Sequence, residues 1–304
     1  MESPNFERDD KMLEERRLRR LEQKRRRRLQ QRIVLGVLIV ILILTIVLIA
    51  RGCQSRKDTG GKPQSVPVQN TPTAQIPDAQ PDTVITLAAV GDIMVYDEQI
   101  AAAKQADGSY DFSDSLSAVS ALTMGADLTV GNLELNFCGE PYSGRPDFRA
   151  PEALALALKE KGFDLVQTAN TYSIQNGMTG LSGTISALDA VGIDHVGTYA
   201  TQAERDASGG VLVKTVNGVR IAFIAFTKGV NNLTLPEGSE FAVDLLYTDY
   251  DSDYSKVAQD AIVQTVKNAV ATDADIVIAM LHWGSEATLE VTKTQQSLAT
   301  QLFE

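Results

Sequence analysis

Five polar residues stand where apolar runs stop. Asp92 follows the run 84–90, Asn132 and Glu134 follow 127–130, Asn170 follows 163–169, and His282 follows 275–281. Carboxylates suit hard divalent cations and imidazole suits Zn, Mn or Fe, so Asp92, Glu134, Asn132 and His282 form a candidate metal set. His282 and Asn170 are also candidate catalytic residues, joined by His195, which lies in the short run 193–196. A cation in such a set clamps a phosphate and activates a water. On spacing alone a structural alternative stays open. Gly91-Asp92 also reads as a turn, Asn132 and Asn170 as helix caps, and His282 as a satisfied histidine beside Trp283. Arg145 and Arg149 sit in a Gly- and Pro-containing loop of an acidic domain. Their guanidinium forks suit carboxylates, which makes them candidate substrate-binding residues, with surface ion pairs as the alternative.

The elements that must position these groups can be read from the hydrophobic pattern. Apolar runs at 84–90, 127–130, 163–169, 193–196 and 275–281 predict strands. Helices are predicted over 97–106, 113–122, 151–161, 179–191 and 254–271, with another from Thr292. Asn217-Gly218 between 211–216 and 219–226 predicts a hairpin. Strands alternating with helices predict an α/β fold with a largely parallel or mixed sheet. Ligand sites in such sheets lie beyond the carboxyl ends of the strands, where the five residues fall.

The N-terminal third has a different character. Residues 33–50 are 18 consecutive residues without a charge. As a helix they would span about 27 Å, near the hydrocarbon thickness of a bilayer. A signal peptide has a shorter apolar core and a small-residue cleavage site, which Arg51-Gly52-Cys53 does not supply. The run is therefore expected to be an uncleaved transmembrane helix. Residues 1–32 carry 12 Lys/Arg against 7 Asp/Glu, which leaves −16 for the rest of a chain whose total is −11. Positive flanks stay cytoplasmic, so the expected topology is a single pass with the N-terminus inside and the large domain outside the cell membrane. Residues 51–82 carry prolines at 63, 67, 72, 77 and 81 among Gln, Thr, Ser and Gly, and read as a linker. Residues 83–304 form the exterior domain, with enough length for its own core.

Composition also excludes. An acidic exterior domain lacks the basic footprint that nucleic acid requires. Two cysteines, Cys53 and Cys138, do not make a disulfide framework. The acidic stretch Asp249, Asp251 and Asp253 lacks the glycine and terminal glutamate of a calcium loop and reads as a solvated turn. The chain stops inside an apparent amphipathic helix, and the domain is expected to continue past Glu304.

Taken together, Val90-Gly91-Asp92-Ile93-Met94, Gly131-Asn132-Leu133-Glu134, Ala169-Asn170, Gly192-Ile193-Asp194-His195-Val196-Gly197 and His282-Trp283-Gly284-Ser285-Glu286 resemble the bacterial CapA family of poly-γ-glutamate capsule-synthesis proteins. The resemblance covers roughly residues 84–304. It implies a layered, calcineurin-like metallophosphoesterase fold, a membrane anchor, and a role in making or exporting capsular poly-γ-glutamate. It also implies partners: an anionic envelope polymer and a membrane synthase complex. Two departures stand out. Where the family usually carries Ala-Asn-Asn-His and an Asp three residues later, this chain has Tyr172 and Gln175. Tyr96 likewise stands where relatives often carry a His. A phenol is a poor cation ligand and an amide lacks a carboxylate's charge, so the expected site is partly degenerate and holds its cation weakly. Three readings follow: a capsule-polymer protein, an active metal-dependent phosphoesterase of the envelope, or a non-catalytic binding and assembly protein.

Protease added to intact cells should remove the domain beyond the linker and spare the N-terminal segment. A domain left intact would overturn the expected orientation.

Overall fold

The computed structural model describes residues 83–303. The basic segment 1–32, the apolar span 33–50 and the linker 51–82 lie outside the described residues. Among the described residues, no helix is long and apolar enough to cross a membrane.

The chain runs β1 (Leu87–Ile93), α1 (Asp97–Ala103), α2 (Ser120–Thr123), β2 (Leu128–Leu133), α3 (Ala153–Glu160), β3 (Leu165–Gln167) and α4 (Gly177–Val191). It continues through β4 (Asp194–Val196), α5 (Gln202–Ser208), β5 (Leu212–Val216), β6 (Val219–Thr227), α6 (Gln259–Val270), β7 (Ile276–His282) and α7 (Lys293–Phe303). The strands form two sheets rather than one. The first is parallel, in the order β1-β2-β3-β4, and the second has the order β5-β6-β7. In the second, β5 and β6 are the antiparallel arms of the expected hairpin, while β7 lies parallel to β6. Asn217 and Gly218 both take positive φ, as a type I′ turn requires.

The layers follow from which side chains each strand points where. Ile221, Phe223 and Ala225 of β6 share a core with Leu128 and Val130 of β2 and Leu165 of β3, which fills the space between the sheets. Ala222, Ile224 and Phe226 alternate with them and pack on Ile262 and Ala269 of α6 and Leu298 of α7. Beyond the first sheet, Leu133 and Val166 meet Leu154, Ala155 and Leu158 of α3 and Leu188 of α4. The domain is thus helices, sheet, sheet, helices, a mixed α/β arrangement that fits the layered expectation. A strand buried on both faces reads as an unbroken apolar run, which is the pattern of β6.

Local chemistry moved several boundaries. The helix expected over 113–122 shrinks to α2. Ser117 and Ser120 each donate their hydroxyl to a carbonyl three residues back, and Asp111 captures the Ser113 N–H, so side chains compete with the helix for backbone partners. The helix expected from residue 254 begins only at Gln259. Asp249 accepts the backbone N–H groups of Ser255 and Lys256 and holds that stretch in a loop. The first strand runs through Gly91-Asp92 rather than stopping before them. Ala89 pairs with Val130 but Asp92 pairs with Asn132, so β1 carries one extra residue, a bulge. Strand side chains alternate between faces. Paired residue for residue from Ala89, Asp92 would stand opposite Leu133 and point away from Asn132; the bulge brings Asp92 and Asn132 to one face.

The sheets approach closely just past β4. Gly197 has φ +98°, and a Cβ there would lie 2.5 Å from the Cβ of Ala169 and 3.0 Å from that of Ala225. Gly197→Ala should therefore destabilise the domain by about 3 kcal/mol, from overpacking and a left-handed backbone together. Urea unfolding of wild type and variant measures the difference, and an unchanged midpoint would contradict this packing.

Candidate metal centre

Asp92 leaves the bulge of β1, Asn132 lies in β2, Glu134 follows it by two residues, and His282 ends β7 of the other sheet. One ligand atom from each of Asp92, Glu134 and His282 lies within 4.8 Å of the other two. Among the described residues, these three are the group able to hold an ion.

The Asn132 amide stands at the middle of this group. Its Nδ2 is 2.8 Å from Asp92 Oδ1, 2.9 Å from Glu134 Oε2 and 3.3 Å from His282 Nδ1. The orientation of that amide follows from its neighbours. Asn170 accepts the Tyr172 N–H on its oxygen (3.1 Å) and donates from Nδ2 to the Leu133 carbonyl (2.7 Å). The same Nδ2 donates to Asn132 Oδ1 at 3.0 Å, which leaves Asn132 only its NH2 to turn inward. Asn132 is then a donor to the cation ligands rather than one of them. Asn170 is a positioning residue that acts through Asn132.

His282 is fixed in the same way. Asn132 can only donate to Nδ1, so Nε2 carries the ring proton and gives it to Thr171 Oγ1 at 2.9 Å. Thr171 also acts on Glu134, where it favours the carboxylate. Burial lowers the His282 pKa, against the pull of Asp92, so the ring stays neutral and Nδ1 keeps a lone pair.

These residues fit one divalent cation. Two amide hydrogens meet three acceptors, so the centre has more lone pairs than protons to satisfy them. It also holds two carboxylates without a cationic side chain between them. Glu134, only 4% exposed, shows the strain. Burial first and the Asp92 charge second push its pKa from an ordinary 4.5 to about 8. A positive ion at this point would relieve both the repulsion and the unpaired acceptor.

Among the described residues, a second ion finds no comparable ligands. Tyr172 stacks edge-on against Phe148 at 4.6 Å between centroids, and Phe148 meets Tyr96 at 5.2 Å. Burial, then the nearby Glu134, raises the Tyr172 pKa, so it stays a neutral phenol. Gln175 turns away and accepts from Asn231 Nδ2 at 2.8 Å.

The other expected residues sit elsewhere. His195 lines a separate cavity of about 380 Å³ with Asp189 and Tyr199, its Nδ1 buried without a partner. Arg149 is a staple, not a ligand for substrate: it donates to the carbonyls of Cys138, Gly139 and Glu140 and closes its own loop. Arg145 is exposed and close enough to Tyr172 for its charge to act on the phenol. The structure adds a wall the sequence pattern did not single out. A cleft of about 510 Å³ opens over Asp92 and His282, lined further by Thr171, Lys228, Asn232 and Tyr254. Thr227-Lys228-Gly229 ends the apolar strand β6, and that strand-end signal could have found it.

Residues 86–304 match the family described as bacterial capsule synthesis protein PGA_cap. The chain is 26% identical over 158 residues to the capsule biosynthesis protein CapA of Bacillus anthracis, covering 51% of this chain and 35% of the relative. It is 25% identical over 224 residues to the PGA biosynthesis protein CapA of Bacillus subtilis, covering 72% of this chain and 54% of the relative. An uncharacterized protein of Sinorhizobium fredii, y4sH, is 32% identical over 149 residues, 46% of this chain and 30% of its own length. The aligned regions thus span about a third to a half of the curated relatives' length. With a family match over residues 86–304, and with Asp92, Asn132, Glu134, Asn170 and His282 from four of the five resembling segments gathered at one centre, the chain belongs to the bacterial capsule synthesis protein family PGA_cap.

Proposed function

We propose that this protein serves capsular poly-γ-glutamate synthesis or export from the outer face of the cell membrane, using one divalent cation (Mn, Zn or Fe) in the cleft. The carrying observation is the convergence of Asp92, Glu134 and His282 on a point with surplus acceptors and surplus negative charge. Family membership and the names of the two CapA relatives support the polymer. The uncharged run 33–50 and its basic flank support the anchor, and a membrane synthase complex is the partner such an anchor would meet. A two-cation phosphoesterase is the weaker reading, because Tyr172 stacks on Phe148 where more ligands are needed.

When bound, the cation supplies Lewis-acid polarisation of a ligand oxygen. The chain's own residues do the rest. Asp92, Glu134 and His282 hold the ion. Thr171 keeps the His282 proton on Nε2, and Asn170 fixes the Asn132 amide that spaces the two carboxylates. The open cleft admits an extended ligand.

Titration with Mn should give about one equivalent per chain. Asp92→Asn should weaken binding at least tenfold, since the site loses half its formal negative charge. Two tight equivalents, or no effect of Asp92→Asn, would overturn the single-ion site.

Glu134 also predicts a pH dependence of the cation-free protein. Its pKa is raised on folding, so between 4.5 and about 8 the folded state holds the proton more tightly than the unfolded state. Its contribution to stability is present below 4.5 and is lost as pH rises through about 8. In EDTA, Glu134→Gln should match wild type near the lower value and exceed it near the upper by on the order of 2 kcal/mol, roughly 5 °C in Tm. Parallel melting curves at both pH values would contradict the raised pKa.

A further inference from the structure

Lys228 is the cation of the cleft, and nothing described so far uses it. It follows β6, shares the cleft with Asp92 and His282, and takes part in no salt bridge among the described residues. An ammonium group in an acidic domain, with Glu286 lining the same cleft, would be expected to find a carboxylate. Instead its Nζ donates to the Gly284 carbonyl at 3.2 Å and lies 4.6 Å from the centre of the Tyr254 ring. Its own backbone N–H is fixed to the His282 carbonyl at 2.8 Å. The lysine is thus held by a ring face and one carbonyl, partners that leave its net charge uncancelled.

The surroundings are built at some expense to hold it there. Tyr254 has φ +52°, a left-handed conformation that a bulky residue rarely adopts. Its hydroxyl donates to Asn232 Oδ1 at 3.1 Å, and Asn231 and Asn232 are both left-handed as well. Gly229 completes the fit: a Cβ there would lie 2.8 Å from the Tyr254 ring. Strained positions that cluster on one cleft wall, and that together aim one charged group, point to a ligand-binding role.

Resting on the reading of this cleft as the ligand site, we propose that Lys228 is its anion-binding residue. Its ammonium receives a carboxylate or phosphoryl oxygen of a ligand that also reaches the Asp92, Glu134 and His282 centre. The ligand class is an oxyanion, and Tyr254 is the positioning residue for the lysine.

The full chain, purified in detergent, would be titrated calorimetrically with inorganic phosphate and separately with γ-glutamylglutamate, each with and without Mn. At least one probe should bind wild type, and the one that binds identifies the oxyanion as phosphate or carboxylate. Lys228→Met should weaken that probe about tenfold or more and flatten its dependence on ionic strength. Lys228→Arg should keep affinity within about threefold, because the charge is retained. Tyr254→Leu should fall between them. Binding of neither probe to wild type, or equal affinity in Lys228→Met, overturns the proposal. Mn titrated alone tests the cation site by itself. Its failure would remove the single-ion reading and leave the Mn-free anion titrations to decide Lys228.

Discussion

One amide nitrogen facing three acceptors is the constraint on which the centre depends. Asn132 cannot satisfy Asp92, Glu134 and His282 together, and it cannot turn over without setting two amide NH2 groups against each other at Asn170. The arrangement is held rather than relaxed. Buried polar networks with every partner in place are rigid, and one left short of a proton is poised for positive charge. The raised pKa of Glu134 and the neutral His282 both express that shortage.

The centre is also a joint between layers. Asp92 and Asn132 belong to the parallel sheet, while His282 and Lys228 come from the strand ends of the other. The apolar core between the sheets, which includes the fully buried Phe223, therefore sets the distances among the polar residues. Burying such a phenylalanine contributes about 1.5–3 kcal/mol, more than most single hydrogen bonds in the cleft. Packing supplies the positional precision, and the polar residues use it.

Much of this was legible in the chain, for a definite reason. An apolar run followed by a lone polar residue marks a strand end, which is how Asp92, Glu134 and His282 could be read in advance. What escaped was set by local competition. Serine hydroxyls unwound most of the helix expected at 113–122. Arg149 found three carbonyls within its own loop, which residue type and spacing do not foretell. Division into two sheets depends on side-chain contacts between distant segments, since each apolar run fits one sheet as well as two. Lys228 follows an apolar run and was within reach of the same strand-end signal, but the way it is held rests on Tyr254, whose left-handed backbone has no signature in residue type.

The bulge in β1 has a genetic consequence. Between Ala89 and Asp92 the strand carries one residue more than β2 does between Val130 and Asn132, while the pairing on either side stays in step with β2. Loss of the single codon for Gly91 would straighten the strand and leave Asp92 still opposite Asn132. A lineage could thus gain or lose this residue by one in-frame indel, with the carboxylate and the hydrophobic core both kept in place.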